Sequence, residues 1–170
     1  MKRILILSDT HGYFDNRFEN YILEADEVWH AGDWGGDGYS EKLESLKKVK
    51  GVYGNIDGKP IRDKYNLCLA FTIEGIKVAI THIAGNPGKY SDIASDLIAS
   101  EKPDVFICGH SHILKVMRDK ANQNLLFVNP GAAGIHGFHK VQTAIRLKLD
   151  AGKIFELEVI ELPRATFRSN

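Results

Sequence analysis

The chain has only two cysteines, Cys68 and Cys108, far apart and without a Cys-x-x-Cys pair. That excludes a disulfide scaffold and a thiolate zinc site, and two buried thiols are expected. No apolar run approaches bilayer-spanning length. The basic start, Met1-Lys2-Arg3, leads only into Ile4-Leu5-Ile6-Leu7, too short a run for a signal peptide. A cytoplasmic protein with no membrane attachment is expected. Neither sign of charge is in excess: Lys plus Arg number 22 and Asp plus Glu 22 among 170 residues. A basic field able to hold long nucleic acid by counterion release is therefore missing. The densest basic cluster, Lys47, Lys48 and Lys50, reads as a solvated helix end. There is no linker, repeat or low-complexity segment, so residues 1–170 read as one domain.

What is present is a succession of apolar runs that end in polar, glycine-flanked tips. Ile4-Leu5-Ile6-Leu7 reads as a buried strand closed by Ser8-Asp9-Thr10-His11. Phe14, Phe18, Tyr21 and Ile22 predict a helix over 14–25. Residues 27–31 predict a second strand cut by Gly32-Asp33, and a Gly-rich loop follows at 35–38. Ser40 reads as the N-cap of a helix over 41–48 with Leu43 and Leu46 inward. Gly51-Val52-Tyr53 reads as a third strand ending in Gly54-Asn55-Ile56-Asp57. This alternation argues for an α/β fold with a parallel, doubly wound sheet whose functional edge lies at the carboxyl ends of its strands.

The second half changes character. Residues 67–73 and 77–81 read as a hairpin through Glu74-Gly75, with Thr81-His82 at its end. A loop at 85–88 precedes a helix over 91–101, capped by Ser91 and stopped by Pro103. Strands are expected at 104–108, 113–118 and 124–128, the first ending in Gly109-His110-Ser111-His112. Period-two alternation from 141 to 149 and a last strand at 154–161 suggest a second sheet packed on the first. The tail from Pro163 to Asn170 is expected to fray.

Collected in order, the tips are Asp9-x-His11, Asp33, Asn55, His82 and His110-x-His112. Any one of them alone is an ordinary polar loop or a structural histidine. Agreement among so many strand ends is not coincidence. Imidazole, carboxylate and amide oxygen together suit Mn, Fe, Co, Ni or Zn, and seven donors with a central Asp33 fit two metals sharing a carboxylate.

Asp9-x-His11, Gly32-Asp33, Gly54-Asn55-x-Asp57, His82 and Gly109-His110-Ser111-His112 resemble the calcineurin-like metallophosphoesterases from residue 4 to about 134. With Asn129-Pro130-Gly131, they resemble the small bacterial YfcE-type phosphodiesterase branch. The resemblance implies a four-layer αββα sandwich of two mixed sheets flanked by helices. It implies that Asp9, His11 and His112 hold one divalent metal, that Asn55, His82 and His110 hold the other, and that Asp33 bridges both. Mn²⁺ is the expected ion, with Ni²⁺, Fe, Co²⁺ or Zn²⁺ as alternatives. Asp33, Asn55 and His82 are the expected catalytic residues, in a hydrolysis where a hydroxide bridging the two metals attacks phosphorus.

The chain departs from the family in places. Ile56 stands where larger phosphatases have a His that serves as a candidate general acid, so no leaving-group donor is evident. Asp57 is expected to orient His11 or brace its loop. Ile83 replaces the usual Gly after His82. The segment after Asn129-Pro130-Gly131 runs Ala132 to Lys140, carrying His136 and His139. These two histidines would contact a phosphate or shuttle a proton, or else belong to a plain surface loop. His30 reads as a buried, hydrogen-bonded histidine. Trp34, the 35–38 loop and Phe138 would wall a pocket or simply cover the core.

The expected function is a phosphodiesterase acting on small phosphate esters, fastest with good leaving groups. The alternatives are a phosphomonoesterase or nucleotidase with the same site, and a non-catalytic scaffold like the small retromer subunit, which has this fold but an incomplete ligand set. Long nucleic acid is not an expected substrate. Self-association is left open, with no decisive apolar seam.

Overall fold

A computed structural model describes residues 1–165. The strands are β1 (Lys2–Leu7), β2 (Glu27–His30), β3 (Lys48–Gly51), β4 (Cys68–Ile73), β5 (Ile76–Thr81), β6 (Gly85–Asn86), β7 (Lys89–Tyr90), β8 (Val105–Ile107), β9 (Leu114–Asp119), β10 (Leu125–Pro130), β11 (Val141–Asp150) and β12 (Lys153–Pro163). The helices are α1 (Glu19–Glu24), α2 (Asp37–Leu46), α3 (Lys59–Lys64) and α4 (Asp92–Glu101). One five-stranded sheet runs β12-β11-β1-β2-β3 and the other β4-β5-β8-β10-β9. Each has a parallel centre: β1, β2 and β3 in the first, β5, β8 and β10 in the second. Antiparallel strands complete both.

Alternation of buried side chains stacks these sheets. Ile4 and Ile6 of β1, with Ile145 and Leu147 of β11, face Val78 and Ile80 of β5, Val105 and Ile107 of β8, and Val128 of β10. The intervening Leu5 and Leu7 point the other way, onto Phe18, Ile22, Leu43 and Ile61 from the helical side. On the outer face of the second sheet, Phe106 and Phe127 cover Ala94 and Ile98 of α4. The layers are therefore helices, sheet, sheet, helix, the sandwich the resemblance implies.

The doubly wound expectation is corrected here. Helices α1, α2 and α3 all pack on one face of the first sheet, because its other face is covered by the second sheet. The basic cluster is corrected too. Lys47 caps α2, but Lys48 and Lys50 lie on β3, and both ammonium groups pair with the buried carboxylate of Glu27 on β2. That pairing moves the third strand from 51–53 to Lys48–Gly51. Helix α2 begins at Asp37, so Ser40 is not its cap; its hydroxyl donates to the Asp37 carbonyl within the first turn. The first helix is shortened to α1, preceded by a 3-10 turn that Asp15 caps. The 85–88 loop carries the small β6–β7 ribbon.

The hairpin, α4 and the 141–161 pair are found where the sequence places them. Both cysteines are free. Cys108 is buried, its thiol pushed up to about 12 by burial, and Cys68 is half-buried. The expected frayed tail is ordered as far as it is described: Ala165 N donates to Gln142, and Arg164 is hydrogen-bonded to three carbonyls. The rest of that tail, 166–170, lies outside the described residues. Among the described residues no helix is long and apolar enough to cross a membrane.

Candidate metal centre

Every candidate ligand lies just past the carboxyl end of a parallel strand. Asp9 and His11 follow β1, Asp33 follows β2, Asn55 follows β3, His82 follows β5, and His110 and His112 follow β8. The two sheets thus contribute from opposite sides to one opening. Asp9 (φ 53°), His11 (φ 47°), Asp33 (φ 57°), His110 (φ 69°) and His112 (φ 57°) all adopt the left-handed backbone region. A non-glycine residue pays roughly 1–2 kcal/mol for that conformation, and such strain concentrates at functional sites. The sequence carries no signal for it.

The two groups of donors are Asp9, His11 and His112, and Asp33, His82 and His110, each with its ligand atoms within 4.8 Å of one another. Asp9 is fully buried. Its Oδ2 accepts from Ser8 Oγ (2.6 Å) and His110 N (3.0 Å), while its Oδ1 is unpartnered, 3.2 Å from His112 Nε2 and 4.0 Å from His82 Nε2. His11 Nε2 is also buried and unpartnered, 3.8 Å from Asp33 Oδ2. Burial holds His11 below the ordinary imidazole value despite the facing Asp33 and Asp9.

His82 is the most constrained member. Its Nδ1 lies 2.7 Å from the Ala31 carbonyl, which can only accept, so Nδ1 carries the hydrogen. In the neutral ring Nε2 is then a bare lone pair. It faces two further acceptors, Asp33 Oδ1 at 3.2 Å and Asn55 Oδ1 at 3.1 Å. Burial by itself would lower His82, yet Asp33 and Asp9 raise it above its usual value. Asp33 moves the opposite way: burial would raise it, but His82 holds it below the carboxylate range. Acceptors converging on acceptors in a buried place fit a divalent cation, and the unpartnered Asp9 and His11 atoms repeat the signature.

Asp57 settles into its loop-bracing role. It accepts from the backbone of Asp33 (3.0 Å), Gly54 (2.7 Å) and Gly35 (3.1 Å), and holds the β2 and β3 tips together. Gly54 is required there, since a Cβ would come 2.0 Å from Asp33 Oδ1. His30 is buried as expected. It accepts from Gly32 N, and its Nε2 meets Thr10 Oγ1, whose hydrogen goes to the Trp34 carbonyl. Trp34 belongs to the core, stacked between His30 (3.7 Å) and Tyr65 (4.4 Å).

His136 and His139 do reach the site. The His136 ring is 4.8 Å from that of His11, and His139 is 5.4 Å from His112. His139 Nε2 donates to the Gly134 carbonyl, and burial keeps it below the ordinary value. Both line an open cleft of about 530 Å³ with His11, Asp33, Asn55 and His112. Sequence reasoning missed Arg164, which ties down this loop from the end of β12. A lone arginine in a terminal tail gives no signal.

Two facing mixed sheets with clustered His and Asp at their carboxyl edges define the metallophosphoesterase class. The chain belongs to the calcineurin-like phosphoesterase superfamily, whose domain description matches residues 1–152. Membership makes it a metal-dependent phosphoesterase, a hydrolase of phosphate esters that uses divalent ions. A probable metallophosphoesterase of Mycoplasma pneumoniae is 31% identical over 167 residues, covering 92% of this chain and 96% of that protein. An archaeal phosphodiesterase of known structure is 24% identical, with a TM-score of 0.69 over 94% of this chain and 99% of that one. Vps29 of Entamoeba histolytica complexed with Zn²⁺ is 17% identical, with a TM-score of 0.73 over 96% and 99%. The last two likenesses are of fold.

Proposed function

We propose that the chain is a phosphodiesterase for small phosphodiesters that holds two divalent cations, Mn²⁺ foremost. Asp9, His11 and His112 would hold one, Asn55, His82 and His110 the other, and Asp33 both. The observation that carries this reading is the face-to-face meeting of His82 Nε2 with Asp33 Oδ1 and Asn55 Oδ1. Bound there, the cations would supply Lewis-acid polarisation of the phosphoryl oxygens and of a water nucleophile.

The chain's own residues do the rest. The Ala31 carbonyl fixes the His82 tautomer, so Nε2 always faces the cation position. Ser8 and the His110 amide hold one Asp9 oxygen and leave the other free. Asp57 locks the spacing of the Asp33 and Asn55 loops. Asn55 is exposed at the cleft, where it would orient a phosphate. Ile56 offers no proton where larger phosphatases carry a His, so esters with good leaving groups should react fastest. The name of the archaeal fold neighbour agrees with a diesterase.

The test is Mn²⁺-loaded protein assayed on a nitrophenyl diester and on nitrophenyl and alkyl monoesters, with metal counted by elemental analysis. Two ions per chain and faster turnover of the diester are expected. Asp33→Asn should keep the fold, since an amide oxygen can still accept from Ile56 N. It should lose more activity than the roughly 10–100-fold that outer-sphere changes cost. Undiminished hydrolysis by Asp33→Asn would refute the bridging role, and a strong preference for alkyl monoesters would refute the diesterase.

A second reading, a partner-binding scaffold, is compatible with the likeness of fold to Vps29. Failure to turn over any ester with metal bound would support it; metal content alone would not, since that Vps29 is itself complexed with Zn²⁺.

A further inference from the structure

The cleft over the two donor groups has an apolar rim. Ile56, Ile113 and Phe138 line it and are 47%, 66% and 104% exposed. Single apolar residues scattered over a surface need no explanation. These three arrive from three separate segments, one next to Asn55, one next to His112 and one between His136 and His139, and meet at the mouth of one polar site.

Phe138 is held there rather than left there. Arg164 Nη1 donates to the carbonyls of Gly137 (2.9 Å) and His139 (3.0 Å), and Nη2 donates to Ile135. The guanidinium therefore clamps the chain on both sides of Phe138. Gly137 (φ +117°) closes the loop against the site, where a Cβ would come 2.4 Å from His112 Nδ1. A fixed loop that presents an aromatic ring to water is unfavourable unless something covers the ring. Arg164 lies beyond the residues 1–152 that match the family.

Charge narrows the occupant further. Among the described residues lining the cleft there is no Lys or Arg, and Asp33 is the one carboxylate. A second phosphate placed within this cleft would meet no ammonium or guanidinium from its lining, Arg164 lining the adjoining hollow past His136 instead, whereas an apolar substituent would meet three hydrophobic side chains.

We propose, resting on the phosphodiesterase reading, that Ile56, Ile113 and Phe138 form an apolar subsite for an esterified alcohol of the substrate, so that the cleft selects diesters bearing an aromatic or similarly flat apolar group. Arg164 is the positioning residue of that subsite.

The test pairs binding with turnover on the Mn²⁺-loaded protein. Diphenyl phosphate and dimethyl phosphate are titrated calorimetrically. The bis-nitrophenyl and methyl nitrophenyl diesters are compared in turnover; both expel the same nitrophenolate, so a difference reports the retained group. The wild type should prefer the aryl member of each pair by about tenfold or more, the discrimination a buried apolar group gives. Phe138→Ala and Ile113→Ser should erode that preference in binding and in turnover. Arg164→Met should raise KM for the aryl ester more than it changes kcat, and Arg164→Lys should rescue it in part. Equal binding of both phosphates by the wild type, or a preference untouched in every variant, overturns the subsite. Discrimination in binding with no turnover of any ester upholds the subsite and removes the hydrolase reading. Turnover without discrimination does the reverse.

Discussion

His30 is kept neutral by its own hydrogen bonds. Gly32 N donates to Nδ1, and Nε2–H reaches a Thr10 hydroxyl whose hydrogen is already committed to Trp34. Burial lowers its pKa to about 3 from the ordinary 6.5. The folded state therefore refuses a proton that the unfolded chain accepts. The associated stability is complete above 6.5 and drains as pH falls toward 3, by at most about 1.4 kcal/mol per pH unit for one proton. His11 and His139, also lowered, add to this trend, and the raised His82 opposes it. Urea unfolding of chelated protein between pH 7 and pH 4.5 should show the decline, and His30→Gln should flatten its slope by one proton. An unchanged slope would contradict the assignment.

At this scale the convergence of these residues on one opening was legible because polar, glycine-flanked tips recur at so many strand ends. Asp57 was legible as a brace but not as a partner of Asp33, Gly35 and Gly54, since backbone acceptance leaves no residue-type signature.

Among the elements, α4 shows how a short signal suffices. Ser91 Oγ accepts from Ala94 N (3.2 Å) and donates to the Ile83 carbonyl (3.0 Å), so one hydroxyl starts the helix and ties it to the loop after His82. Ser91→Ala should cost about 1 kcal/mol and lower Tm by about 2–4 °C in a chain of this size, read by thermal unfolding. No change would mean that the cap contributes nothing. Strand β3 was misplaced because two of its residues are lysines; only the Glu27 carboxylate on the neighbouring strand makes them a strand face. Helix α3 was missed because six residues starting Lys59-Pro60 give too little periodicity; Ile61 alone anchors it. Strand β11 was read from the alternation over 141–149, and β12 from the Asp150-Ala151-Gly152-Lys153 turn that leads into it.

For the whole molecule, the donors divide between the sheets. Asp9, His11, Asp33 and Asn55 extend from the first, and His82, His110 and His112 from the second. A cation held by Asp9, His11 and His112 would bolt one sheet to the other. At free Mn²⁺ about a thousand times Kd, linkage stabilises the folded state by about 4 kcal/mol, or on the order of 10 °C in Tm. Thermal scans with Mn²⁺ and with chelator should differ by that amount, and Asp9→Asn should shrink the gap. Identical scans would argue against cations held between the sheets. The one-sided placement of helices was not legible from the first half alone, because it depends on a second sheet encoded after residue 66.

The left-handed backbone at Asp9, His11, Asp33, His110 and His112 sets thermal robustness against chemistry. Glycine would relax each of these positions and erase a donor in the same step. Selection for heat resistance in the metal-free chain would drift toward glycine at 110 and 112, and would leave each donor group one imidazole short.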